Sequence, residues 1–161
     1  MAQQKKYEFV PGDEKVVAPG RTVKRIRALI AIAALGVAPG ELGGYIESES
    51  NLQVSGDARV YGDAWVSGDA QVSGNARVSG DALVESQTDW LLVGPAKSSG
   101  RFTTAYRDTK IVVRVSCGCF TGTAQEFSAQ IEATHEGNQQ HLQQYRLFCQ
   151  LIAVNFDTQP A

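Results

Sequence analysis

Apolar positions recur every six residues through the middle of the chain and follow other rules on either side. From Val54 the sequence reads VSGDAR, VYGDAW, VSGDAQ, VSGNAR, VSGDAL and VESQTD. Val54, Val60, Val66, Val72, Val78 and Val84 hold the first position, and Ala58, Ala64, Ala70, Ala76 and Ala82 the fifth. Ala, a variable residue and Val in succession make a three-residue strand, because alternate side chains of an extended backbone point to opposite faces. Ser-Gly-Asp/Asn then turns the chain, with Gly free to adopt positive φ and Asp/Asn able to bond neighbouring backbone. Ala and Val therefore face inward and the variable residue outward. So small an interior predicts a narrow, tightly wound tube, and degenerate hexads extend it from about Ile46 to Trp90.

The flanks lose this period. Residues 1–45 read as N-terminal cap strands, punctuated by Pro11-Gly12, Pro19-Gly20 and Pro39-Gly40, with a strand over Thr22–Leu29. Gly40-Glu-Leu-Gly-Gly-Tyr-Ile-Glu feeds into the repeat as an irregular first coil or a cap. Beyond Trp90, Leu91–Val93, Arg101–Asp108 and Lys110–Val115 are rich in β-branched and aromatic residues and predict strands. Thr123 and Glu126 form a T-x-x-E capping box, with Phe127 and Ile131 following at helical spacing. A second helix from about Gln139 carries Leu142, Tyr145, Phe148 (or Cys149), Ile152 and Phe156 on one stripe. The expected architecture is mainly β: cap strands over 1–45, a β-helix over 46–90, and a small C-terminal α+β module over 91–161 that closes the open end.

Composition narrows the classes. With 161 residues, 43% of them hydrophobic, the chain is long enough for about one domain and too apolar for global disorder. The 15 Lys+Arg and 17 Asp+Glu leave a net charge of −2, which excludes a strongly basic nucleic-acid coat. The longest apolar run, Ala28–Leu35, falls far short of the ~18–20 residues a membrane span needs and reads as buried core. No charged start leads into an apolar stretch and a cleavage site, so a cytoplasmic protein is expected. Cys117, Cys119 and Cys149 are too few and too clustered for a disulfide framework and read as buried reduced thiols.

The hexads resemble the repeat of left-handed parallel β-helices, in which an aliphatic residue is followed four positions later by a small one. That resemblance implies three hexads per triangular coil, residues eighteen apart stacked on one face, and the left hand itself, since parallel crossovers are otherwise nearly always right-handed. On this stacking the outward residues sort into Arg59 with Arg77, Trp65 with Leu83, and Gln53 with Gln71. An outward apolar stripe of Trp65 over Leu83 marks an interface. Two to three coils also leave strand edges bare at each end. Hexapeptide β-helices are similar in forming trimers, which implies a homotrimer through the Trp65/Leu83 face, unless a terminal segment of the same subunit covers it.

The chemistry on offer is mostly binding chemistry. Arg59 and Arg77 would stack about 4.8 Å apart and repel unless an anion or carboxylate lies between them. The pair reads either as a solvated face, where exposed like charges cost little, or, if Trp65/Leu83 forms the trimer contact, as part of a cleft between subunits where Tyr61 and the turn hydroxyls would help hold a small anionic or nucleotide-like ligand. Arg21, Lys24, Arg25 and Arg27 concentrate positive charge before the repeat, with Arg25 and Arg27 as further anion-binding candidates. Many hexapeptide-repeat proteins are acyl-CoA-dependent acyltransferases using a histidine base in or beside the coils. Here His135 and His141 both lie in the helical appendage. A C-x-C pair with two histidines lacks common zinc spacing, and a Cys119–His135 nucleophile pair has no evident orienting group. No phosphate-loop, dinucleotide or H-E-x-x-H motif is present, so no catalytic set, metal or cofactor is expected.

The layout as a whole resembles a family of phage and prophage proteins, usually labelled hypothetical proteins or transferases. Its marks are a G-[D/E]-L-G-G-[W/Y]-I-E segment, coils rich in [SY]-G-[DN]-A, and a C-terminal G-C-F-x-G-T-x-x-E-F … T-H-G module. Matching residues are Leu42–Glu47, then Gly118, Cys119, Phe120, Gly122, Thr123, Glu126, Phe127, Thr134 and His135; Glu136 stands between His135 and Gly137 where the pattern runs directly on. The resemblance implies a phage accessory protein acting in the bacterial cytoplasm. The expected function is non-enzymatic binding or sequestration, such as a counter-defence sponge for a host nucleotide signal. A structural or protein-protein module, docking on a virion or a host protein, is the alternative, and an acyltransferase the second. No membrane or nucleic-acid polymer is expected as partner.

Overall fold

A computed structural model describes residues 4–33 and 36–159. Its centre is the repeat. Strands β3 (Leu42–Ile46), β5 (Trp65–Val66) and β7 (Leu83–Val84) pair in parallel on one face of the coils. On a second face β4 (Arg59–Val60) pairs in parallel with β6 (Arg77–Val78), and a parallel bridge joins Leu52 to Val72 on the third. The inward Ala and Val side chains from Ala58 to Val84 are all buried, as an interior of small residues requires. The eighteen-residue stacking holds for Arg59 over Arg77 and for Trp65 over Leu83.

It fails for the third pair. Leu52, not Val54, stacks on Val72, and Ile46 stacks on Val66, so the first coil runs two residues longer than the second. Gln53 and Val54 occupy the extra length, which removes Gln53 from the place above Gln71. Leu52 is buried, whereas Val54 is half-buried and packs only on the edge of the core. Asn51 fixes this corner by donating to the carbonyls of Gly68 (3.2 Å) and Ala70 (2.9 Å).

Both ends of the tube are plugged by the flanks. β1 (Tyr7–Ala18) and β2 (Arg21–Ala28) form an antiparallel hairpin that pairs with β3 and extends its face into a five-stranded mixed sheet. Tyr7 and Ile26 from the hairpin join the coil core. The Tyr7 hydroxyl donates to the carbonyls of Glu49 and Leu52, and burial, helped by nearby Glu49, pushes its pKa up to about 12. At the other end β8 (Trp90–Val93), β9 (Thr103–Arg107), β10 (Val113–Cys117) and β11 (Phe120–Thr123) make an antiparallel sheet. Its Trp90 and Tyr106 reach into the same coil core. The Tyr106 hydroxyl lies 3.0 Å from that of Ser79 with both residues buried. Tyr106→Phe is therefore expected to lose about 1 kcal/mol in denaturant unfolding, because the Ser79 hydroxyl keeps its burial and loses its partner. No loss would show that bond to be immaterial.

The other side of this sheet carries helices α1 (Ala124–Thr134) and α2 (Gln139–Asn155), with a second core of Val113, Val115, Phe127, Ile131, Tyr145, Phe148, Ile152 and Phe156. The capping box forms as read: Thr123 Oγ1 accepts from Glu126 N at 3.1 Å and Glu126 Oε2 from Thr123 N at 2.7 Å. Three expectations need correction. The apolar run after β2 is not core, because Leu29, Ala31 and Ala33 are exposed and Ile30 and Ile32 only half-buried; Ala34 and Leu35 lie outside the described residues. Lys110–Val112 is a turn and not strand, held by Asp108. Only Cys117 of the three thiols is buried, Cys119 being exposed and Cys149 half-buried.

Candidate functional site

The predicted binding residues are divided among several places. Arg59 and Arg77 align on adjacent strands of one face, but their side chains diverge. Arg59 donates to Glu41 Oε1 (3.0 Å) and lies over the Tyr61 ring at 4.2 Å. Arg77 reaches the opposite way, donating to the Gly118 carbonyl at 3.2 Å. The expected repulsion is thus relieved within the chain. Arg25 and Arg27 stand on β2, away from this pair. Arg25 bonds Asp13 and the carbonyls of Gly43 and Gly62 and lies 4.3 Å over the Tyr45 ring, while Arg27 pairs with Glu8. Arg21 likewise meets Glu47 and Glu85. The three arginines of the N-terminal basic run are therefore paired with the chain's own carboxylates, while the Lys24 ammonium lies 5.8 Å over the Phe9 ring.

Arg77 differs from these. Neither Arg77 nor Arg101 makes an ion pair among the described residues, yet the two converge on Gly118. Gly118 sits at φ 60° in the turn between β10 and β11, and a Cβ there would meet the Arg101 side chain at 2.8–3.0 Å. With Asp57, Asn75, Gly100 and Phe102 they line an open cleft of about 250 Å³ between the coil corners and the C-terminal sheet. Two guanidiniums, one carboxylate, one amide and one aromatic ring are a donor-rich set suited to a phosphate-bearing molecule. Sequence reading found Arg77 and missed Arg101 and Phe102, since they follow the end of the hexad period and no spacing ties them to the coil.

Trp65 and Leu83 share their face with Tyr45, and Trp65 is half-buried, its Nε1 fully buried without a hydrogen-bond partner among the described residues. The chain's own hairpin continues this sheet past Tyr45. In the C-terminal module, exposed Cys119 lies in the β10–β11 turn and the Phe120 ring is 5.3 Å from Phe127. Thr134 accepts from Gln130 at 3.0 Å, and His135 stacks on Tyr145 at 5.0 Å and meets His141 edge-on at 6.0 Å. Phe120 and His135 thus pack against the helices, whereas Cys119 and Thr134 are exposed; among the described residues no group of His, Cys, Asp and Glu could hold a metal. No helix is long and apolar enough to cross a membrane.

The model of a family described as the YdcK beta solenoid repeat matches residues 52–68 and 70–86. Parallel coils with buried Ala and Val over the same residues agree with it. These coils are a β-solenoid repeat. Both matched stretches lie within the coils, so the solenoid match covers Arg59, Tyr61, Trp65, Arg77 and Leu83 and leaves both flanks aside. No match was found among curated proteins.

Proposed function

We propose that this solenoid is a non-catalytic binding protein whose Arg77–Arg101 cleft holds a small phosphate-bearing, nucleotide-like ligand. The observation that carries the reading is the convergence on one cleft of two arginines that make no ion pair among the described residues. Phe102 offers a face for a ring, and Asp57 and Asn75 offer acceptors for sugar hydroxyls or an exocyclic amine. Arg59, Tyr61, Arg25 and Arg27, engaged within the chain, are supports of the coil in this reading and not ligand contacts. The assembly is a homotrimer of left-handed coils joined through Leu83 and the open part of Trp65. In the phage setting its resemblance implies, such a protein removes a host nucleotide signal from solution.

Calorimetric titration with cyclic dinucleotides, ADP-ribose and inorganic phosphate tests the cleft. One nucleotide should bind saturably, and Arg77→Ala and Arg101→Ala should each weaken it about tenfold or more, the usual loss of a charge-assisted hydrogen bond. No binding by any probe, or equal affinity in the variants, overturns the reading. Association is tested by light scattering on Leu83→Lys, because Leu83 lies on the outermost strand of its sheet whereas Trp65 is wedged between Tyr45 and Leu83. The wild type should run as a trimer and the variant as a monomer; a monomeric wild type refutes the trimer.

A further inference from the structure

The geometry points to a second binding site, in the C-terminal module, for a small neutral apolar molecule. A cavity of about 530 Å³ opens between β10 and the two helices, walled by Ile111, Val113, Phe127, Cys149, Ile152 and Ala153. That volume falls within the range typical of small-molecule sites, which are mostly apolar with a few polar groups at the rim. Here the rim groups are Thr123, Gln125, Thr158 and Gln159, and among the described residues none that lines the cavity is charged. A charged ligand would find no counter-charge to replace its water, so the lining selects a neutral one.

The lip of the cavity is the second observation. Ile111 has φ 63°, a left-handed conformation that is costly for a β-branched residue, and its side chain is 72% exposed. Packing does not require it there, since most of the side chain meets water. The turn is nonetheless held firmly. Asp108 accepts from Lys110 N and Val112 N, both at 2.9 Å, and Ile111 N donates to the Asp108 carbonyl at 2.9 Å. A strained, exposed apolar residue fixed at the mouth of an uncharged cavity is accounted for if it closes over a ligand. Cys149 on the far wall stays a neutral thiol, its pKa pushed up to about 11 chiefly by burial. This site shares no residue with the arginine cleft, so each stands or falls alone.

The test uses the full chain and the neutral fluorophore N-phenyl-1-naphthylamine. Wild type should enhance its fluorescence saturably, at one molecule per chain. Ile111→Asn, which tolerates the left-handed backbone and removes the apolar lip, should weaken binding at least fivefold with a melting temperature equal to or above the wild type's. Cys149→Phe should abolish binding by filling the cavity; if it does not fold, Ile111→Asn decides. Absence of a saturable signal, affinity unchanged in Ile111→Asn, or a lowered melting temperature for that variant each overturns the proposal. Self-association abolished by Ile111→Asn also overturns it, because the patch then belongs to a second copy.

Discussion

Gly68→Ala should lower the melting temperature far more than Gly80→Ala, although both glycines occupy matching corners of the repeat. Their φ angles are nearly the same, +62° and +64°, so each substitution carries the left-handed penalty of about 1–2 kcal/mol. The surroundings differ. A Cβ on Gly68 would lie 2.2 Å from the Glu85 carbonyl oxygen of the next coil, while one on Gly80 would meet nothing within 4 Å. Backbone at Glu85 has little room to move, because the Glu85 and Ser86 amides both donate to Asp89 Oδ2. The clash adds an overpacking cost of about 1–3 kcal/mol. At roughly 2–4 °C per kcal/mol for a chain of this size, Gly80→Ala should lose a few degrees and Gly68→Ala on the order of 10 °C. Circular dichroism melts of the two variants decide it; equal losses would mean that the coils do not stack as closely as this.

The contrast shows what the hexad carries and what it does not. Period, inward Ala and Val, and the place of glycine at the corners were legible, because each follows from local alternation and from backbone freedom at one residue. The Arg59/Arg77 and Trp65/Leu83 pairs followed once coils of eighteen were assumed. The first coil escaped that assumption, since a two-residue excess at Gln53–Val54 leaves no local mark. A clue lay elsewhere. Ile46-Glu-Ser-Glu-Ser-Asn-Leu52 repeats as Val84-Glu-Ser-Gln-Thr-Asp-Trp90, and both form the same short 3₁₀ corner, in which Asn51 and Asp89 each cap a serine amide. Aligning those two segments would have placed Leu52 inside. The helices were legible through caps and stripes. The arginine cleft was half legible, because Arg77 belongs to the repeat whereas Arg101 and Phe102 arrive by a tertiary fold with no sequence period. The charged N-terminal run shows the reverse failure: four basic residues close in sequence suggested a shared anion, but Arg21, Arg25 and Arg27 each found a carboxylate in the folded chain.

Removal of the Asp108 carboxylate is the other change expected to have a large effect, and its pH dependence identifies the cause. Asp108 is buried; besides the two turn amides it accepts from Arg114 Nε at 2.9 Å. Its backbone forms a bridge with Ala82, and Thr109 N donates to the Asp81 carbonyl, so the same turn ties the C-terminal sheet to the last coil. Burial by itself would raise the pKa of this carboxyl, but the bonds from Arg114 and the two amides outweigh it and hold the value below the ordinary range. Asp108→Ala leaves those donors unpaired, and because Arg114 is partly exposed and can rehydrate, the loss should be about 2–3 kcal/mol near neutral pH. A depressed carboxyl contributes fully above its unfolded pKa of about 3.9 and loses that contribution as pH falls through the folded value. The stability gap between wild type and Asp108→Ala should therefore be flat from about pH 8 to pH 5 and narrow below about pH 4. Glu126 and Glu132, also held low by hydrogen bonds, titrate in the same direction in both proteins and cancel from the difference. Asp108→Asn, keeping an acceptor without the charge, should lie between the two at neutral pH. A gap unchanged down to pH 3 would show that the side chain acts by filling space, and the ionic lock on the Ile111 turn would have to be abandoned.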